Sequence, residues 1–258
     1  MVGRAHDRVA VITGAGSGIG RASANLMVRD GWLVVFAGRR LEALRQSIAM
    51  CDDPYGDIAR RAVAVPTDVT RPDSVAALFD FVRARHGRLD FLFNNAGVRT
   101  GGAWLEELRL EQWRAALDVH LTGAFLCTQQ AFRMMKAQEP RGGRIVNNGS
   151  LAAQVPRPQA AACAASKHGL SGLTRAAALE GRAFDIAVGQ IDIGNAITET
   201  AGALDAGWLQ ADGSRRAEAC IDVDHVAAAV LHMANLPLEA NVLSMTVMAT
   251  QMPLVGRG

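Results

Sequence analysis

Short apolar runs alternate with longer, partly polar stretches along the whole chain. The runs at 9–13, 33–37, 62–65, 91–93, 144–147, 186–191 and 243–249 read as seven strands. Most are continuously apolar rather than alternating, which suits strands covered on both faces. The segments 18–30, 41–49, 72–86, 110–136, 160–180 and 225–234 have helical length. Pro72 with Thr70 and Asp73 marks one helix start, and Asp224 before His225 marks another. This rhythm predicts an α/β fold. We expect a single doubly wound Rossmann domain over 1–258, with a seven-stranded parallel sheet, helices on both faces and right-handed crossovers. The stretch 194–222 breaks the rhythm, with four glycines, scattered charges and Trp208. It follows the carboxyl end of a strand, where ligands sit in open α/β sheets, and reads as a substrate lid or as an ordinary surface excursion. The last segment, 240–258, is expected to supply a strand and a tail at a subunit interface.

Composition narrows the classes. Half of the 258 residues are hydrophobic and a fifth are charged, with a formal net charge of +2. That balance gives no footprint for nucleic acid, and no apolar stretch approaches the roughly 20 residues that span a bilayer. The N-terminus lacks a signal-peptide pattern, so a cytoplasmic protein is expected. Cys51, Cys127, Cys163 and Cys220 are widely spaced, with no CxxC, and read as reduced thiols; the histidines show no metal-ligand spacing. No metal site is expected.

The glycine loop carries the first chemistry. TGAGSGIG at 13–20 follows the first predicted strand and opens a helix. Gly14, Ser17, Gly18, Ile19 and Gly20 therefore sit where a chain must turn sharply and bring backbone amides and a helix N-terminus to a pyrophosphate. The second strand ends in Gly38-Arg39-Arg40. An NAD(H) site places an acid there to hold ribose hydroxyls, whereas guanidinium groups match a 2′-phosphate. Arg39 and Arg40 thus point to NADP(H), with NAD(H) the lesser alternative; the plainer reading is a pair of solvated charges at a helix start.

Further motifs make a family resemblance specific. Asp68-Val69 follows the third strand, NNAG stands at 94–97, RIVNNGS at 144–150, and Lys167 lies in the next helix. In order and spacing the chain resembles the short-chain dehydrogenase/reductase family over about its first 200 residues. The resemblance implies a homodimer or homotetramer that moves hydride between nicotinamide and a carbonyl or alcohol carbon of a small molecule. It implies that Asp68, with Val69, holds the adenine end. Asn94, Asn95, Ala96 and Gly97 would line the cofactor, and Thr198 would reach its nicotinamide side. Lys167 would grip the ribose, and Ser150 would orient the substrate oxygen.

Two members of the family's Asn-Ser-Tyr-Lys tetrad are missing. The tyrosine position, four residues before Lys167, is Cys163, and the asparagine position is His120. The sole tyrosine, Tyr55, lies far away in sequence. A cysteine thiol ends roughly 4 Å short of a tyrosine hydroxyl. Its pKa, about 8.5 unperturbed, is expected to fall beside Lys167. Three readings follow: hydride transfer with His120 or a water supplying the proton; a non-redox isomerase, cyclase or dehydratase using a Cys163 thiolate with His120; or a dinucleotide-binding scaffold without turnover. Cys163 and His120 also read as plain helix packing. The intact cofactor motifs favour an oxidoreductase.

Other departures are milder. Ile193 stands where the family commonly has proline before Gly194, and the C-terminus lacks the usual Asp-Gly-Gly. Arg157, in a loop stiffened by Pro156 and Pro158, would steer an anionic substrate or sit solvated. The methionine-rich last third hints at a hydrophobic pocket or at core packing.

Overall fold

The computed structural model describes residues 7–198 and 207–254. In chain order the elements are β1 (Val9–Thr13), α1 (Gly18–Arg29), β2 (Leu33–Gly38), α2 (Leu41–Ala49), a one-turn α3 (Ile58–Arg61), β3 (Ala62–Pro66), α4 (Pro72–His86) and β4 (Phe91–Asn94). There follow α5 (Leu110–Leu117), α6 (Gly123–Ala137), β5 (Gly143–Asn148), α7 (Ala161–Gly181) and β6 (Ile186–Ile193). Short strands β7 (Ala196–Ile197), β8 (Trp208–Leu209), β9 (Arg215–Arg216) and β10 (Ile221–Asp222) precede α8 (Val223–Asn235) and β11 (Ser244–Val247).

Seven strands form one sheet in the order β11-β6-β5-β4-β1-β2-β3, parallel throughout. The α/β Rossmann architecture is therefore as the apolar runs predicted. Alternate strand residues feed two separate cores. Val9, Val11, Leu33, Val35 and Leu92 meet α4 and α6 through Leu78, Phe79, Val82, Ala131 and Met135. Ala10, Ile12, Val34, Phe36, Phe91 and Phe93 meet α1 and α8 through Met27, Val28, Val226, Val230 and Met233. Both faces of the central strands are dry, which is why their sequences show no period of two. The order reverses between β1 and β4. The carboxyl ends there open into the crevice where such sheets take ligands.

The helices differ from expectation at three places. The predicted helix 110–136 is two helices, because a π turn, Asp118–Thr122, separates α5 from α6. Gly123, just after that turn, packs so closely on Val69 that a Cβ would lie 2.8 Å from its Cγ2. The start of α8 is two residues earlier than predicted, with the Asp222 carboxylate accepting from the Asp224 amide at 2.9 Å. The α3 turn has no counterpart in the prediction.

Arg144, 2% exposed, ties β5 to the end of α8. Its guanidinium donates to the carbonyls of Pro237 at 2.9 Å and Ala240 at 2.7 Å and to Asn241 Oδ1 at 3.2 Å. In the predicted lid, β8 and β9 form a small antiparallel pair and β10 pairs with β7. Residues 199–206 of that segment, and 255–258 of the predicted tail, lie outside the described residues. Among the described residues no helix is long and apolar enough to cross a membrane.

Candidate functional site

The glycine loop is shaped by contacts that leave no room for side chains. Gly14 and Gly18 have φ of +69° and +50°, which only glycine adopts without strain. At Gly20 a Cβ would sit 2.3 Å from the Gly14 carbonyl oxygen and 2.5 Å from Asn95 Nδ2. Ser17 is the N-cap of α1 but its side chain makes no capping bond, and the first turn holds no acid. The helix thus presents uncommitted amides and a positive dipole end to the crevice. Ile19 turns inward and packs on the α1 side of the core. Thr198 lies over the loop, its Cγ2 3.1 Å from where a Gly18 Cβ would be.

A cleft of about 170 Å³ runs along this loop, lined by Gly14, Ser17, Arg39, Arg40, Asp68 and Val69, with Ala96 and Gly97 at its inner end. Arg39 and Arg40 are exposed, and neither forms an ion pair with a carboxylate among the described residues. Thr70, read from the sequence only as part of a helix start, holds Asp68 through its amide at 3.0 Å and its hydroxyl at 2.8 Å. Burial pushes the Asp68 carboxyl up, but these two bonds, with the charges of Arg39 and Arg71, outweigh it and hold the group below the usual range.

The segment after β4 is fixed by side-chain bonds. Thr13 Oγ1 accepts from the amides of Asn95 at 2.9 Å and Ala96 at 3.0 Å, and Asn95 Nδ2 donates to the Thr13 carbonyl at 2.9 Å. Asn148 Nδ2 donates to Asn95 Oδ1 at 2.8 Å. Asn94, 6% exposed, faces the interior instead of the crevice. Its Nδ2 donates to Asn147 Oδ1 at 2.9 Å and Thr128 Oγ1 at 3.0 Å. Its side chain braces β4, β5 and α6, which corrects the expectation that it would line the cofactor.

A second cavity, of about 540 Å³, adjoins the first where the Val98 loop and the π turn meet. His120, Ser150 and Cys163 line it together with apolar Val98, Leu108, Leu151, Val155, Leu209 and Met252. The structure thus gathers three of the four sequence-predicted catalytic residues into one wall. The fourth, Lys167, is buried behind them, one helical turn from Cys163, and Nζ donates to the Asn148 carbonyl.

The electrostatics of this wall differ from the sequence expectation. His120 is 7% exposed and both ring nitrogens are engaged. The Val98 amide donates to Nε2 at 3.0 Å, and Nδ1 lies 3.1 Å from Ser166 Oγ. Ser166 spends its own hydrogen on the Cys163 carbonyl, at 2.9 Å. Nδ1 must therefore carry the imidazole proton and Nε2 must accept. Burial, with the nearby Lys167 charge, pulls the His120 pKa from 6.5 down to about 3. At Cys163 burial raises the pKa and Lys167 lowers it, with burial the larger, so the net shift is upward. That reverses the expected fall. A thiolate here is disfavoured.

Arg157 lines the cavity, but its guanidinium is engaged by partners and not solvated. It is ion-paired with Glu218, donates to Asn195 Oδ1 at 3.1 Å, and stacks 4.4 Å from the Trp208 ring centroid. Ser166 and Asp192 had no signal in the sequence, because they matter through the distant partners His120 and Ser150; Asn148 lay within RIVNNGS without an assigned role.

A Rossmann sheet with a glycine cradle at β1 defines a dinucleotide-fold scaffold. Residues 8–207 match the family described as short chain dehydrogenase. A 3beta-hydroxysteroid dehydrogenase of Mediterraneibacter gnavus is 36% identical over 180 residues, which is 70% of this chain and 63% of that protein. A cis-4-hydroxycyclohexanecarboxylate dehydrogenase of Sinomonas cyclohexanicum is 40% identical over 200 residues, 78% of each chain. The closed form of a serine dehydrogenase complexed with NADP+ superposes with a TM-score of 0.83 at 20% identity, covering 97% of this chain and 98% of its own. The chain belongs to the short-chain dehydrogenase/reductase family of oxidoreductases.

Proposed function

We propose that the protein is an NADP(H)-dependent oxidoreductase acting on an alcohol or carbonyl carbon of a compact, largely apolar small molecule. The observation that carries this reading is that consecutive residues line both cavities, Gly97 and Val119 the one beside Arg39 and Arg40, Val98 and His120 the one that holds Ser150. The bound nicotinamide would supply or accept the hydride. Gly14, Ser17, Gly18, Ile19 and Gly20 hold the pyrophosphate with backbone amides. Arg39 and Arg40 read the 2′-phosphate, Asp68 and Val69 the adenine end, and Asn95, Ala96, Gly97 and Thr198 the nicotinamide half. Lys167 grips the ribose and Ser150 holds the substrate oxygen.

The missing tyrosine leaves proton exchange to be assigned. His120 is poorly suited, since its only hydrogen faces Ser166 and its acceptor nitrogen holds the Val98 loop. We read it as a positioning group for that loop. The upward shift of Cys163 argues against a thiolate base or nucleophile, and with it against the non-redox reading. Solvent water between Ser150 and Lys167 is the proton route we favour. The described part of the lid, 207–222, reads as the outer wall of the substrate cavity, clamped by Arg157 and Glu218. Exposed Leu110, Phe125 and Leu179, on α5 to α7, support a homo-oligomer.

The test is reduction of NADP+ by secondary alicyclic alcohols, with 4-hydroxycyclohexanecarboxylate and cyclohexanol first, followed by the absorbance of reduced nicotinamide. Turnover with NADP+ exceeding that with NAD+ supports the reading. Tight NADPH binding without reduction of NADP+ by any alcohol or oxidation of NADPH by any ketone would sink the redox assignment.

A further inference from the structure

Behind Ser150 lies a buried carboxylate that the family resemblance does not assign. Asp192, on β6, is 3% exposed. Its Oδ1 accepts from the Ser150 amide at 3.1 Å and from Gln190 Nε2 at 2.7 Å, and its Oδ2 accepts from Gln154 Nε2 at 2.8 Å. Three donors on one carboxylate offset much of the cost of burying it. The chain makes room for it at a specific place. A Cβ at Gly149 would lie 1.9 Å from Asp192 Oδ1 and 2.7 Å from Gln190 Nε2, so the residue preceding Ser150 has to be glycine while this carboxylate is there.

We propose that Asp192 is a positioning residue for the active site, acting through Ser150 and Lys167: it pins the turn that presents Ser150 to the cavity and supplies the negative charge facing the Lys167 ammonium. The inference rests on the proposed function only in taking those two residues as site residues. The geometry behind it is independent. Asn148, whose carbonyl accepts from Lys167 Nζ, is the register partner of Ile191, the residue before Asp192. The charged and titratable groups around Lys167 are Cys163 on its own helix, His120 on the π turn and Asp192 on β6. Burial draws the lysine from 10.5 down to about 8, and the nearby anionic groups oppose that fall. With Cys163 a thiol and His120 neutral, Asp192 is the anion in that set. A buried lysine whose opposite charge is removed loses its proton at lower pH.

The experiment follows the 13Cε shift of Lys167 against pH in labelled protein, with the signal assigned by Lys167→Met. In Asp192→Asn, which keeps the shape and removes the charge, the midpoint is expected to fall by about one pH unit. NADPH binding should be unchanged at pH 6 and should weaken at lower pH than in the parent as pH rises. Gly149→Ala, which displaces the carboxylate without touching it chemically, should move the midpoint the same way. If Asp192→Asn does not fold, Asp192→Ser gives the same reading. A folded Asp192 variant with reduced Tm but an unmoved Lys167 midpoint would overturn the proposal, leaving Asp192 a purely structural group. Failure of the parent protein to bind NADPH would count against the cofactor reading alone, since the lysine midpoint decides the Asp192 question without it.

Discussion

Arg39 stands just past the end of β2, exposed, lining the cleft beside the glycine loop and close enough to act on the Asp68 carboxyl. A charge-assisted hydrogen bond is worth about 1.5–3 kcal/mol, so Arg39→Ala should weaken NADPH binding by roughly 10- to 100-fold and leave NADH within about twofold. Parallel fluorescence titrations check this; equal losses for both cofactors would mean that Arg39 does not read the 2′-phosphate. His120 makes a pH prediction. Its pKa is lowered from 6.5 to about 3 on folding, so between those values the unfolded chain binds the extra proton. Stability is then full above 6.5 and falls as the pH drops towards 3. His120→Asn removes this titration, so its unfolding free energy in urea should fall less than the parent's between pH 7.5 and 4.5. The residue types at Cys163 and His120 were plain in the sequence. Their protonation was not, because it is decided by burial and by Ser166 and Val98, which no local pattern links to them.

Elements were legible where burial dictates sequence. Strands β1 and β2, buried along nearly their whole length, are the continuous apolar runs by which they were found. The π turn was not legible, because Asp118–Thr122 interrupts hydrogen bonding without interrupting the helical spacing of apolar residues. Its extra residue is what brings His120 under the Val98 loop. Nor was the tie between β5 and α8 legible, since an arginine in an apolar run gives no hint of four acceptors about ninety residues on. Burial lowers the Arg144 pKa, yet the charge is retained against carbonyls at a helix C-terminus, where a cation is favoured. Arg144→Ala leaves those acceptors buried and unmet and should cost at least about 3 kcal/mol. Chemical denaturation would show it as a lower midpoint with an unchanged slope. A loss under about 0.5 kcal/mol would mean that solvent replaces the guanidinium freely.

On the scale of the whole molecule the two halves of the crevice were unequally readable. The glycine-loop end is written in consecutive residues, Thr13 to Gly20 and Asn95 to Gly97, although Asn94 beside them faces the interior. The substrate end is assembled from the Val98 loop, the π turn, α7, the 150–158 loop and the β8–β9 pair, so its shape emerges only on folding. The exposed apolar side chains of Leu110, Phe125 and Leu179 belong to this scale as well. Light scattering should find a dimer or tetramer of the 27.3 kDa chain, and Phe125→Glu should shift it towards the monomer. A monomeric parent would remove the assembly from the proposal.

Trp208 gives that outer wall a property of its own. Its indole lies in the lining of the larger cavity with the Arg157 guanidinium stacked against it. The chain has three other tryptophans, Trp32, Trp104 and Trp113, and replacing those with phenylalanine leaves a single emitter at the cavity mouth. Its colour and lifetime would then report each arrival and departure of a ligand in real time, turning the wall into an optical gauge of how the crevice fills.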